Sequence, residues 1–198
     1  MSDFVRCLVG MFAVIAPFGA LATVTAGRVR AGALPHAGVG DLTRRLWVRS
    51  PAAAFVVLAV IALLNEPLLD WLKISPESFQ FAASAAMAPL AVRLILAGDL
   101  MPAPDRPLPS YAWFAPFAVP MLAGPSSIIA AVSYAARFGE IEAILATATV
   151  CALTAALFVL SDRFEKVPLV VVQTAARLSG GLLVLIAVEL AVDGVRSV

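Results

Sequence analysis

The chain has 198 residues, 62 % of them hydrophobic and only 14 % charged, and its mean hydropathy is +0.97. Soluble domains carry roughly 25 % charged residues, so this balance excludes one and indicates a polytopic membrane protein. A net charge of +1 offers no bulk electrostatic attraction for nucleic acid.

A spanning helix needs about 20 mostly apolar residues. Six stretches qualify, at 4–26, 46–69, 79–100, 113–135, 141–161 and 168–195, and together they predict one all-α membrane domain over 1–198. The first stretch is interrupted at Ala16-Pro17-Phe18-Gly19, where proline removes a backbone donor and crowds the carbonyl four residues back. Its end, Val24-Thr25-Ala26, resembles a leader-peptide cleavage site. Asp3 beside Arg6, together with the interruption at Pro17 and Gly19, predicts instead that the segment is retained as a helix.

The connection 27–50 is the longest and most basic, with Arg28, Arg30, Arg44, Arg45 and Arg49. In the second stretch Glu66, Pro67 and Asp70 end the apolar core early. The third carries the small-residue run Ala82-Ala83-Ser84-Ala85-Ala86 and, deeper, Arg93. The fourth contains Pro116, Pro120, Gly124 and Pro125, which predict a helix broken over 123–127 that restarts with Ser126 and Ser127 at its new N-terminus. The sixth carries Ser179-Gly180-Gly181 early in its length, a face on which backbones can approach closely, and later Glu189.

Basic residues set the orientation. The first connection, Arg106 in the third, and Arg163 with Lys166 in the fifth outweigh Arg6, Lys73, Arg137 and Arg196 on the other side. The odd-numbered connections are therefore expected in the cytoplasm, with both termini outside. Three spans per half reverse the polarity of the second half, 101–198, relative to the first, 1–100, which is the topology of an inverted repeat. Pro17 aligns with Pro125, 90–94 aligns with 186–190, and Gly98 then meets Gly194.

In hydrocarbon the polar groups freed by a helix break need protein or water beside them. A restarting helix offers N–H groups to an anionic group. A stopping helix offers carbonyls to a cation or ammonium. Two such breaks suit a small zwitterion. The expected substrate-binding residues are Pro17, Phe18, Gly19, Thr23, Ser84, Gly124, Pro125, Ser126, Ser127 and Gly180, against the plainer expectation that the hydroxyls bond their own helices. Arg93 and Glu189 are the deepest charges and the candidates for coupling or gating. Arg93 lies seven residues before Leu100, about 10 Å of helix, and can also snorkel to the surface.

Other chemistry is not expected. Cys7 and Cys151 sit in apolar stretches without a disulfide framework, and His36, the sole histidine, lies in the basic connection. No carboxylate, thiolate or imidazole cluster is available for a metal, and Ser126 and Ser127 have no histidine partner in any span. No catalytic residue, metal or cofactor is expected. The expected partners are a small-molecule substrate and membrane lipids, with homo-oligomerisation left open. The alternative reading is a non-transporting membrane protein, either lipid-binding or an accessory subunit, which would hold a lipid-shaped groove instead of an aqueous cavity.

The chain resembles the MarC family of integral inner-membrane proteins, commonly grouped with the LysE-type exporters. The family's first helix carries Asn/Asp-Pro-x-Gly-Asn-x-Pro, matched by Pro17 and Gly19. Its fourth carries Pro-x-x-Ala-Gly-Pro-Gly-Ala, matched by Pro120, Ala123, Gly124 and Pro125. Ile74 and Ser75 fit its Gly-Ile-Ser link, and Arg177, Leu178, Gly180, Ile186, Ala187 and Val188 fit its last helix, with Glu189 in a glutamine place. The chain departs from the pattern at Ala16, Ala20, Ala22, Ser84-Ala85, Ser126 and Ser127. The resemblance implies the six-helix fold and membrane transport, and at least one relative is described as a transporter of small neutral amino acids.

Overall fold

The computed structural model describes residues 3–32, 39–73, 75–100, 113–163 and 168–196, and every regular element among them is helical. The first apolar stretch forms α1 (Asp3–Ile15) and α2 (Pro17–Gly32), joined at Ala16. α3 spans Val39–Leu63, α4 Asn65–Leu72 and α5 Pro76–Ala97. A π-helical segment, Trp113–Leu122, precedes α6 (Pro125–Phe138), followed by α7 (Glu140–Arg163) and α8 (Leu169–Arg196).

Two boundaries differ from the sequence expectation. Much of the basic connection 27–50 is helix, because α2 continues to Gly32 and α3 has begun by Val39. Arginine, alanine and leucine are good helix formers, so these helices do not stop where their apolar faces stop. The second stretch is not one rod: its parts Val48–Leu63 and Asn65–Trp71 meet at 60°. Pro67 has no N–H for the carbonyl of Leu63, and the side chain of Asn65 takes the carbonyl of Ala62 at 2.8 Å. His36, Arg106 and Lys166 lie outside the described residues.

Four helical runs are long and apolar enough to cross a membrane, or up to five if the bent pair counts as one span. They are Asp3–Ala26, Ser78–Ala97, Glu140–Leu160 and Leu169–Arg196. The fourth expected span, 113–135, exists as two shorter pieces of 10 and 14 residues.

Burial separates centre from periphery. In Asp3–Ala26, 78 % of the apolar window is buried, against 28 % in α5 and 39 % in each of α7 and α8. Along α6, Ser126, Ser127 and the run from Ala130 to Ala135 are buried as well. The first interrupted span and α6 therefore run through the interior beside α5, α7 and α8, while Phe114 and Pro120 of the π-helical segment are exposed. Exposed Val92, Leu96, Leu178 and Leu185 mark the outward faces of α5 and α8. Met11, Ile15, Leu58, Met87, Leu94, Leu122, Phe158 and Leu183 fill the core, each under 2 % exposed.

Candidate functional site

In the first break the helical ladder ends with the Ala16 N–H donating to Phe12 O at 3.0 Å and restarts with the Ala20 N–H donating to Ala16 O at 3.0 Å. Pro17 brings no donor for the carbonyl of Ala13, and the carbonyls of Val14 and Ile15 fall outside the ladder on the side of the turn at Ala16. Ala16 adopts φ 47°, in the left-handed region that ends a helix, yet α1 and α2 continue as one run from Asp3 to Ala26. Ala13, Val14, Ile15 and Ala16 are all 1 % exposed or less, so these peptide groups are buried.

The second break is built from the same parts. The π-helical segment closes with the Ala123 N–H donating to Ala118 O at 2.8 Å, and α6 opens with the Ile128 N–H donating to Gly124 O at 2.9 Å. Pro125 occupies the first position of α6, as Pro17 does of α2. Gly124 is required there: a Cβ would lie 2.6 Å from the carbonyl oxygen of Pro120, which is backbone and cannot swing away. No side chain caps this N-terminus. The amides of Ser126 and Ser127 thus lack helical acceptors, because the carbonyls they would use belong to the preceding segment.

The hydroxyls follow the same logic. Thr25, Thr147, Thr149, Thr154, Thr174 and Ser179 each donate to the carbonyl four residues back, the ordinary state of such groups in apolar helices. Ser84 does likewise within α5, donating to Phe81 O at 2.6 Å. Ser126 and Ser127 are 6 % and 2 % exposed, yet no hydrogen bond among the described residues engages either hydroxyl. Their counterparts four residues back, Leu122 and Ala123, lie across the break.

The remaining expected residues divide into packing contacts and ties. Gly19 and Gly180 approach one side chain from two helices: a Cβ on Gly19 would sit 2.6 Å from Leu94 Cδ2, and one on Gly180 2.8 Å from Leu94 Cβ. Phe18 is half-buried and meets the Phe12 ring edge-on at 6.1 Å. Pro17 is buried and Pro125 exposed. The Thr23 hydroxyl is committed to the protein, donating to Gly19 O at 3.0 Å and accepting the Leu100 N–H at 3.1 Å.

Arg93 pairs with Asp99 (Nη2 to Oδ1, 2.6 Å), while its buried Nε has no partner. Glu189 is exposed on α8. The structure thus gathers Gly19, Thr23 and Gly180 around the end of α5, leaves Pro17 buried at the start of α2, and places Gly124, Ser126 and Ser127 at the start of α6. Ser84 and Glu189 join neither group through any hydrogen bond or ion pair among the described residues.

Several residues escape sequence reasoning. Asn65, 1 % exposed at the bend, donates to Glu140 Oε1 at 3.1 Å. Asp99 reaches Arg93 only because Gly98 turns the chain left-handedly at φ 72°. Tyr134, 6 % exposed, rests its phenol against Gly10, where any Cβ would overlap it. Among the described residues no group of three or more His, Cys, Asp or Glu is placed to hold a metal ion.

A family model described as MarC family integral membrane protein matches residues 1–198. No curated protein and no solved structure matches the chain.

Proposed function

The chain belongs to the MarC family of integral membrane proteins, and on that premise we propose that it is a secondary transporter or exporter of a small neutral solute, most simply a small neutral amino acid. Alternating access around the two breaks is the proposed mechanism. The observation that carries this reading is the start of α6: two amides without helical acceptors and two uncommitted hydroxyls, from the buried residues Ser126 and Ser127, while further along the same helix the Ser133 hydroxyl is fully enclosed without a partner. Unpaired polar groups in such a place are costly unless something polar meets them. A carboxylate answers the amides and the positive end of α6. The carbonyls left over at the end of α1, which packs on α6, answer an ammonium group.

We propose an inverted repeat as the frame of the same mechanism. Exchanging the halves swaps α1 and α2 for the Trp113–Leu122 segment and α6, α3 for α7, and α5 for α8. Some packing pairs follow, α1 on α7 corresponding to Trp113–Leu122 on α3 and α2 on α8 to α6 on α5, whereas α1 on α6, α6 on α7 and α1 on α8 lack a counterpart of like extent among the described residues. The pair α2 on α7 corresponds to α6 on α3, while α5 on α8 and α3 on α7 map onto themselves. We assign 1–100 and 101–198 as the two halves of one domain, in the inner membrane, with both termini outside the cytoplasm as the distribution of Lys and Arg requires. A reporter fused after Val198 and active only in the cytoplasm would contradict that orientation.

The direct test is flux. Proteoliposomes holding the purified chain should move labelled alanine or glycine faster than protein-free vesicles, in competition with other small neutral amino acids. No flux across a broad panel of neutral solutes overturns the reading.

A further inference from the structure

The far end of α6 carries a feature that the two breaks do not explain. α1 runs from Asp3 to the break at Ala16, and α6 runs from the break at Gly124 to Phe138. Because Tyr134 of α6 lies on Gly10 of α1, both residues sit on the N-terminal side of both breaks. From that face inward the layers are ordered. Arg137 pairs with Asp193 of α8, each about one-third exposed. The Arg137 guanidinium lies over the Phe138 ring, 5.0 Å from its centroid. Phe138 stacks with Tyr134 at 6.1 Å between centroids and 30° between planes. Tyr134 then fills the space that the missing side chain of Gly10 leaves between α1 and α6.

This arrangement is bulky, aromatic and held by few directional bonds. No hydrogen bond among the described residues engages the Tyr134 hydroxyl, so the ring is retained by packing and by the Arg137–Asp193 pair above it. An exposed ion pair contributes little, about 0–1 kcal/mol. A rotamer change at Tyr134 therefore breaks no buried hydrogen bond.

We propose that Tyr134, seated on Gly10 and backed by Phe138 beneath the Arg137–Asp193 ion pair, is the gate closing the route from the N-terminal face of the membrane to the two breaks. The proposal rests on the transporter reading for its purpose, but its test does not require flux.

The test uses the full chain with Cys7→Ala and Cys151→Ala, a single reporter Ser127→Cys, and a positively charged methanethiosulfonate reagent applied from the N-terminal face of oriented vesicles. With Tyr134 intact, Cys labelling at position 127 is slow. Tyr134→Ala is expected to raise the rate by about tenfold or more by shifting the population toward an open route, and Tyr134→Leu, which keeps apolar bulk in the core, by less. Tyr134→Phe should label at the parent rate, since the ring and not the hydroxyl is the plug. Fast labelling in the parent chain, or a rate indifferent to both the Ala and Leu variants, overturns the gate. If flux is present and labelling ignores residue 134, the gate alone fails. If labelling responds and no solute is moved, the transporter reading alone fails.

Discussion

Thr23 and Leu100 are joined by a hydrogen bond of 3.1 Å that reaches across 77 residues, from the second half of the first broken span to the chain just past α5. The same hydroxyl donates to Gly19 O, so one threonine ties the restart of the first span to the end of the third. Thr23→Val keeps the shape, removes both bonds and strands a buried N–H. The expected cost is about 1–3 kcal/mol, seen as a lower unfolding midpoint in detergent and lost hydrogen-exchange protection at the Leu100 amide. Thr23→Ser should retain that protection. Unchanged protection in the valine variant would rule the tie out.

Leu94 separates the two glycines that touch it. Gly19→Ala presses on its terminal Cδ2, whereas Gly180→Ala presses on its Cβ and, at 3.0 Å, on the backbone nitrogen of Ile95. Each alone should cost about 1–3 kcal/mol by overpacking. Leu94→Ala deletes the Cδ2 and keeps the Cβ. It should therefore relieve Gly19→Ala and leave Gly180→Ala unrelieved. A double-mutant cycle on thermal unfolding is the measurement; equal coupling at both glycines would contradict the geometry.

At the bend of the second span, the Asn65 amide donates to both Ala62 O and Glu140 Oε1. Asn65→Asp replaces that donor with a second carboxylate. We expect a loss of about 1–3 kcal/mol from unpaired acceptors, plus repulsion from Glu140. Adding Glu140→Gln should restore much of the loss, because the new amide can donate to the aspartate. No rescue on thermal unfolding would mean that the pair does not form.

For the proposed site, Ser126→Ala and Ser127→Ala should each weaken solute binding about two- to tenfold, the worth of one hydrogen bond, with little change in melting temperature. Gly124→Ala should abolish flux and also destabilise the chain, because its Cβ meets the Pro120 carbonyl at 2.6 Å. Binding isotherms and melting curves on the same preparations separate the two outcomes. Serine variants with wild-type affinity would remove Ser126 and Ser127 from the site.

The breaks were legible because proline chemistry is local. Even so, proline alone is not the signal: Pro51 and Pro89 lie inside continuous helices, while Pro17 and Pro125 begin new ones. A tightly packed glycine stands beside each true break, Gly19 and Gly124, but it is no signal alone, since Gly10 and Gly180 are packed as closely inside helices. The bend at Leu64 was half-visible, since Glu66, Pro67 and Asp70 announced an end of the apolar run but not a second helix beyond it. Tertiary partners were not visible at all. Asn65 and Glu140 stand 75 residues apart, and Arg93 finds Asp99 through a left-handed turn at Gly98, not through helical spacing. In a bilayer every helix is apolar on most faces, so periodicity does not say which face meets protein. That is why Tyr134 on Gly10 went unread.

Pro17 and Pro125 also decide how the interior can move. A joint made by bending a whole helix must sever backbone bonds each time it flexes, and each severed bond would be left dry. Here the missing donors are written into the covalent chain, so neither ladder can be completed across its break, however straight the span. A rotation between Ala16 and Pro17, or between Gly124 and Pro125, would therefore cross no ladder bond of proline's own, which makes these two points the cheapest places for the interior to turn.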